Sequence, residues 1–162
     1  MTASSSSARP RRDFTVAVFV VCNGRVLLMY HRRYGKWLPP GGHVKDGELP
    51  DDAAVREVLE ESGLLVQLVG QRGIDVASPR QLIRPEGVQL EAIEPGHEHI
   101  DFIYFARPVP PCAAGQRPPE PVPNGEARTM GWFSEQEWEG LGLTEEIRLW
   151  SRKALRTLQE ES

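Results

Sequence analysis

Residues 42–64 read GHVKDGELPDDAAVREVLEESGL, and the fold is decided at their centre. The spacing predicts a helix over Pro50 to Ser62, with a proline in its first turn and Asp51 and Asp52 at its positive end. Gly63 follows as the stop, since the C′ position favours a left-handed backbone. At about 100° per residue, Ala54, Val55, Val58 and Leu59 share one arc and can pack on a sheet. Glu57, Glu60 and Glu61 share another, at i, i+3 and i+4 in the last turns, where the helix dipole is negative. Like charges at that spacing cost roughly 0.2–0.5 kcal/mol, and anions at that end about 0.3–1 kcal/mol each. A solvated acidic face tolerates such a cost. A bound hard cation converts it into binding energy, and carboxylate oxygens suit Mg²⁺. Leu49 stands at the N-cap, where Ser, Thr or Asp would accept an orphan N–H.

The stretch Trp37-Leu38-Pro39-Pro40-Gly41-Gly42 interrupts any regular element before the helix. Upstream, apolar residues 14–22, an Asn23-Gly24 turn and residues 25–31 read as a β-hairpin. Downstream, residues 64–68, 88–93, 100–106 and 130–133 read as strands, and the proline-rich residues 108–123 as a loop. Residues 134–141 and 144–158 read as helices, the second amphipathic through Ile147, Trp150, Ala154 and Leu158. This irregular interleaving predicts a mixed α/β (α+β) domain, a sheet sandwiched by helices. It spans residues 13–162, with residues 1–12 as a disordered Ser- and Arg-rich tail.

Length and charge bound the function. A chain of 162 residues suits one domain. A net charge of -4 argues against a general nucleic-acid binder, so an anionic substrate must find its cations within the site. The longest apolar run, residues 16–22, is too short to cross a membrane. Cys22 reads as a buried small hydrophobe and Cys112 as exposed among prolines. Neither has metal-ligand spacing and the two form no disulfide framework, which suits a reducing cytoplasm. A monomer or a homodimer fits equally.

The pattern Gly42-x5-Glu48-x7-Arg56-Glu57-Val58-x-Glu60-Glu61-x-Gly63-Leu64 resembles the signature box of the Nudix hydrolases at every defined position. A chance match somewhere in the chain is on the order of one in ten million at ordinary residue frequencies. The resemblance implies an α/β/α sandwich with a mixed β-sheet and hydrolysis of the diphosphate linkage of a nucleotide-like small molecule. It implies Mg²⁺, with Mn²⁺ as a substitute, held by Glu57, Glu60 and Glu61 and by the Gly41 carbonyl. Arg56 is expected to pair with Glu48 and fix the loop against the helix. Glu126, six residues before Trp132, takes the place of a further acidic ligand. Glu57, Glu60, Glu98 and Glu126 are the candidates for general base. A nucleotide-binding domain without catalysis is the alternative, but such domains carry a damaged box, and this one is intact. Isomerase chemistry on this fold needs a cysteine near the box, and neither Cys22 nor Cys112 adjoins it.

Other residues carry weaker signals. Arg32, Arg33 and Lys36 form a basic patch before the box, readable as a solvated turn or as phosphate ligands. Trp37 and Tyr104 are placed to stack on a base, although such aromatics also serve a core. His97, His99 and Asp101 share one face of a strand. His-x-His occurs in zinc sites, yet no further ligand is apparent nearby, and the preferred reading is that this face lines the substrate cleft.

Overall fold

The structure, a computed structural model, describes residues 8–159. The strands are β1 (Arg11–Cys22), β2 (Arg25–His31), β3 (Lys36–Leu38), β4 (Gly41–His43), β5 (Val66–Val69), β6 (Gly87–Glu94), β7 (His97–Pro108) and β8 (Ala127–Phe133). Helix α1 (Pro50–Ser62) follows β4, and α2 (Glu145–Gln159) closes the described chain after a 3₁₀ segment, Glu135–Leu141. The expected mixed sheet is present. β1 and β7 pair in parallel over their length, from Arg11 opposite His97 to Val20 opposite Ala106. β4 lies antiparallel on the other edge of β1, while β5 and β6 share the far edge of β7. At its end β1 leaves this sheet to pair with β2 through Val21 and Cys22, and β2 carries β3 and β8.

The unbroken apolar run in β1 follows from cover on both faces, as expected of a strand within a parallel pair. Val16, Val18 and Val20 pack with Ala53, Ala54 and Val58 of α1. Phe19 and Val21 point the other way, into a cluster with Phe105, Trp138, Ile147, Ala154 and Leu158. Helix α1 keeps its expected bounds, with Gly63 left-handed at φ 71° and donating its N–H to the Leu59 carbonyl at 2.9 Å. Leu49 is the N-cap and makes no side-chain capping bond.

Several expectations are corrected. The sequence predicts a tail over residues 1–12, but Arg11 and Arg12 already belong to β1; residues 1–7 lie outside the described chain. Their backbones are held by β7 while their side chains stay in solvent, so polarity alone misplaced the boundary. Residues 134–141 form 3₁₀ turns and not an α-helix, entered by a capping box between Ser134 and Glu137. The two cysteines are joined: Cys22 and Cys112 form a disulfide with Cα atoms 5.8 Å apart, and Cys112 is half-buried. The proline-rich segment docks on the first hairpin turn, where the Asn23 side-chain amide donates to the carbonyls of Ala113 (2.9 Å) and Gln116 (2.7 Å).

Candidate active site

The turn from β4 into α1 is fixed by one guanidinium. Arg56 donates from Nε to Glu48 Oε1 at 2.6 Å and from Nη2 to Glu48 Oε2 at 3.0 Å, a two-pronged contact. Its Nη2 also reaches the His43 carbonyl at 3.0 Å, and Nη1 reaches Glu57 (2.9 Å) and Glu60 (3.0 Å). Glu48 in turn accepts the Lys45 N–H at 2.9 Å, and the guanidinium holds its carboxyl below the usual range. Arg56 and Glu48 therefore bind the loop to the helix and set the orientation of two acidic side chains.

The three helix carboxylates occupy unlike surroundings. Glu60 is half-exposed, with Lys45 3.8 Å away. Glu57 is mostly covered, and burial raises its pKa. Glu61 is 1% exposed; burial, and next the charge of Glu57, push its pKa up to about 9. Its Oε1 accepts the Gly41 N–H at 3.4 Å, and its Oε2 has no hydrogen-bond partner among the described residues. A buried acceptor left unmatched is costly unless something fills the place. Gly42 adds a steric argument, because a Cβ there would stand 2.5 Å from Glu57 Oε1. The bare glycine leaves room for the carboxylate beside the backbone. An oxygen-only donor set with one orphaned buried oxygen fits a hard divalent cation.

This acidic cluster adjoins a cleft of about 460 Å³. Arg32, Arg33, Lys36, Gly41, Gly42 and Glu126 are among the residues that line it. Glu126 is close enough to Glu61 for its charge to raise that pKa further, and its backbone carbonyl accepts the Arg32 N–H at 3.0 Å. A larger hollow of about 1060 Å³ lies beside Cys22 and Cys112, away from the glutamates. The chemistry is placed by the carboxylates and not by the size of the hollow.

Three other candidates move away from the cleft. Tyr104 is 2% exposed and packs in the core beneath α1, so it cannot stack on a base. Trp37 sets its ring against Phe133 and Tyr30, with centroids 5.0 and 5.7 Å apart, while its neighbours Lys36 and Leu38 face the cleft. Glu98 is held by Arg12 Nε at 2.7 Å and does not line the cleft, which weakens it as a base. Of the polar face on β7, His99 and Asp101 line the cleft, and Asp101 accepts a hydrogen bond from the Thr15 hydroxyl. His43, Asp13 and Glu91 also reach this region, and no motif in the sequence marks them. His43 occupies a variable place within the box, and Asp13 lies on another strand, so only strand pairing reveals either.

Comparison with known proteins agrees with this geometry. The NUDIX domain family model matches residues 11–158. A hydrolase of the NUDIX family from Clostridium perfringens, of known structure, is 35% identical with a TM-score of 0.78, covering 91% of this chain and 99% of that one. The RNA pyrophosphohydrolase of Tolumonas auensis is 36% identical over 74 residues, 41% of this chain and 42% of that protein. The oxidized purine nucleoside triphosphate hydrolase of Danio rerio is 49% identical over 59 residues, 35% of this chain and 38% of that protein. The matches thus span about two fifths of the length of these two relatives. With the family model matching residues 11–158 and a NUDIX hydrolase of known structure 35% identical over nearly its whole length, the chain belongs to the NUDIX hydrolase family.

Proposed function

We propose that this protein hydrolyses the diphosphate linkage of a small nucleotide, a nucleoside triphosphate or modified nucleotide first, in a reaction dependent on Mg²⁺. The observation that carries this reading is the buried Glu61 carboxylate, with one unpartnered oxygen, beside Glu57 and under the Gly41-Gly42 turn. Glu57, Glu60 and Glu61, with the Gly41 carbonyl and Glu126, would hold the cation; Mn²⁺ has the same donor preference. Bound there, it supplies charge neutralisation at the diphosphate and a lowered pKa for the attacking water. Arg56 keeps Glu57 and Glu60 in place. Arg32, Arg33 and Lys36 bring positive charge to the phosphates, as an acidic chain must at such a cleft. A glutamate among Glu57, Glu60 and Glu126 takes the proton of the water. The substrate class draws on the names of two relatives, the oxidized purine nucleoside triphosphate hydrolase of Danio rerio and the RNA pyrophosphohydrolase of Tolumonas auensis. The cytoplasm, where such nucleotides are found, is the compartment we assign, and the Cys22–Cys112 disulfide, a bond that a reducing compartment disfavours, is the observation against it.

Purified protein with Mg²⁺ and a panel of nucleoside triphosphates, oxidised purine triphosphates, dinucleoside polyphosphates, ADP-ribose and 5′-triphosphorylated RNA tests the reading. The expected result is release of a nucleoside monophosphate from a triphosphate, abolished by EDTA. Tight nucleotide binding without turnover would instead identify a regulatory domain. Turnover confined to the RNA would overturn the small-molecule assignment. The same reaction in ¹⁸O-labelled water shows which phosphorus is attacked.

A further inference from the structure

We propose that Asp13, His97 and His99, with His43 beside them, bind a borderline divalent d-block cation, Zn²⁺ above all, at a site separate from the α1 glutamates. The strand register builds this site. β1 and β7 run in parallel with Asp13 opposite His99, and β4 sets His43 opposite Thr15, two residues further along β1. Side chains at alternate positions share a face, so three strands deliver an aspartate and three imidazoles to one patch of sheet. One potential ligand atom each from Asp13, His97 and His99 lies within 4.8 Å of the other two. The His43 ring centroid is 4.9 Å from that of His99, and His43 Nε2 is 3.4 Å from Asp13 Oδ2, which puts His43 in place as a fourth ligand.

A second observation points to a ligand. His99 is 8% exposed, and its Nε2 is buried with no hydrogen-bond partner among the described residues. An imidazole nitrogen left bare in the interior is unusual, and it stands where Asp13, His97 and His43 converge. The surroundings also suit a metal. His97 Nε2 meets Asp13 Oδ2 at 2.8 Å, while its Nδ1 faces Glu94 Oε1 at 3.6 Å. A carboxylate on the far nitrogen is the usual device for orienting a metal-bound histidine. The competing partner is Arg11, whose guanidinium holds Asp13 at 3.0 Å, but its side chain is 73% exposed and its release costs only a surface ion pair.

The donor set separates this site from the other. Imidazoles with one carboxylate match tetrahedral Zn²⁺, and next Co²⁺, Ni²⁺ or Cu²⁺; Mg²⁺ takes oxygen. Ligands at about 2.0 Å in a tetrahedron stand about 3.3 Å apart, so the cluster needs to draw its widest pair together and open its closest. Bound metal would join the start of β1 to β7 and β4 at the rim of the cleft.

The test uses the full chain, stripped of metal and held in excess Mg²⁺ to occupy the glutamates. Co²⁺ is added and its visible d–d bands are followed, and Zn²⁺ is then used in competition. The expected result is one equivalent of Co²⁺ with tetrahedral bands, displaced by Zn²⁺ and retained in Glu61→Gln. His97→Gln and Asp13→Asn, both at positions that solvent reaches, should each weaken binding at least about 100-fold. On the unaltered protein, Zn²⁺ should shift the ring resonances of His97 and His99 at one equivalent, a readout independent of how the variants fold. Unmoved histidine resonances, or Co²⁺ binding that survives both substitutions and vanishes in Glu61→Gln, would overturn the proposal. Neither outcome bears on hydrolysis with Mg²⁺ alone, so the two readings fail separately.

Discussion

Replacing Glu61 by Gln should change stability in opposite directions with and without metal. The folded protein without metal keeps its Glu61 proton up to about pH 9, because burial and Glu57 disfavour the ion; the unfolded chain releases it near the ordinary value of 4.5. Between these values the folded state binds more protons than the unfolded one, so stability falls as pH rises. At pH 7 the cost reaches about 3 kcal/mol at most, from roughly 2.5 pH units at about 1.36 kcal/mol each, and at pH 5 it is under about 1 kcal/mol. Glutamine keeps the shape and carries no such cost, so Glu61→Gln should be the more stable protein in EDTA at pH 7, and hardly so at pH 5. With Mg²⁺ at about a thousand times its Kd, the wild type gains about 4.1 kcal/mol, enough to reverse the order. Its pH slope should then flatten, because both states are ionised. Urea unfolding of both proteins at pH 5, 7 and 8, in EDTA and in Mg²⁺, measures all of this. A variant less stable than wild type in EDTA, or equal shifts in both conditions, would refute the reasoning. Glu60 is a poorer place for the experiment, since Arg56 and Lys45 already offset its charge.

Three further outcomes are expected. Gly42→Ala should lower kcat by about 100-fold with little change in melting temperature, because the new Cβ displaces the Glu57 carboxylate from 2.5 Å and leaves the core intact; steady-state kinetics beside a thermal melt check it. Changing Arg32 and Arg33 together to Ala should raise KM at a cost of about 1–3 kcal/mol, and an unchanged KM would return both to a solvated turn. Reducing the Cys22–Cys112 bond, which closes a loop across a separation of 90 residues, should lower unfolding stability by up to about 4.6 kcal/mol; identical urea curves with and without dithiothreitol would show that the bond constrains nothing.

What the sequence disclosed follows how local each feature is. The spacing of Glu57, Glu60 and Glu61 is a property of one helix and is legible at once, as is the left-handed stop at Gly63. The different surroundings of those glutamates are not. Glu61 is buried because β4 folds back along β1 and covers it, whereas Glu60, one residue earlier, stays in water. Tyr104 shows the same limit, since periodicity places it on a strand but only the packing of α1 decides which face is sealed. Arg56 was legible as the partner of Glu48 because the box fixes their separation. His43 and Asp13 became visible only through the pairing of three strands far apart in the chain. Cys112 reads as exposed because its neighbours are prolines, and nothing local reports that the segment returns to Cys22.

The passage of β1 from one sheet into the other bears on how the molecule comes apart. Residues 11–20 of this strand are zipped to β7, and Val21 and Cys22 are zipped to β2. Neither half of the architecture can come away whole without freeing a strand that the other half also uses. Lifting β7 away strips one edge from β1 and opens both layers around Val18 and Phe19. Partial opening therefore gains little backbone freedom for the apolar area it wets, and the two sheets behave as one cooperative unit. The lower-cost openings are left to segments tied to a single neighbour, such as β3 and the long connection between β5 and β6. Within β1, the amides that bond to β7 are then the natural reporters of global unfolding, whereas the Val18 amide, bonded to the Pro40 carbonyl at the edge of β4, is exposed by a smaller opening.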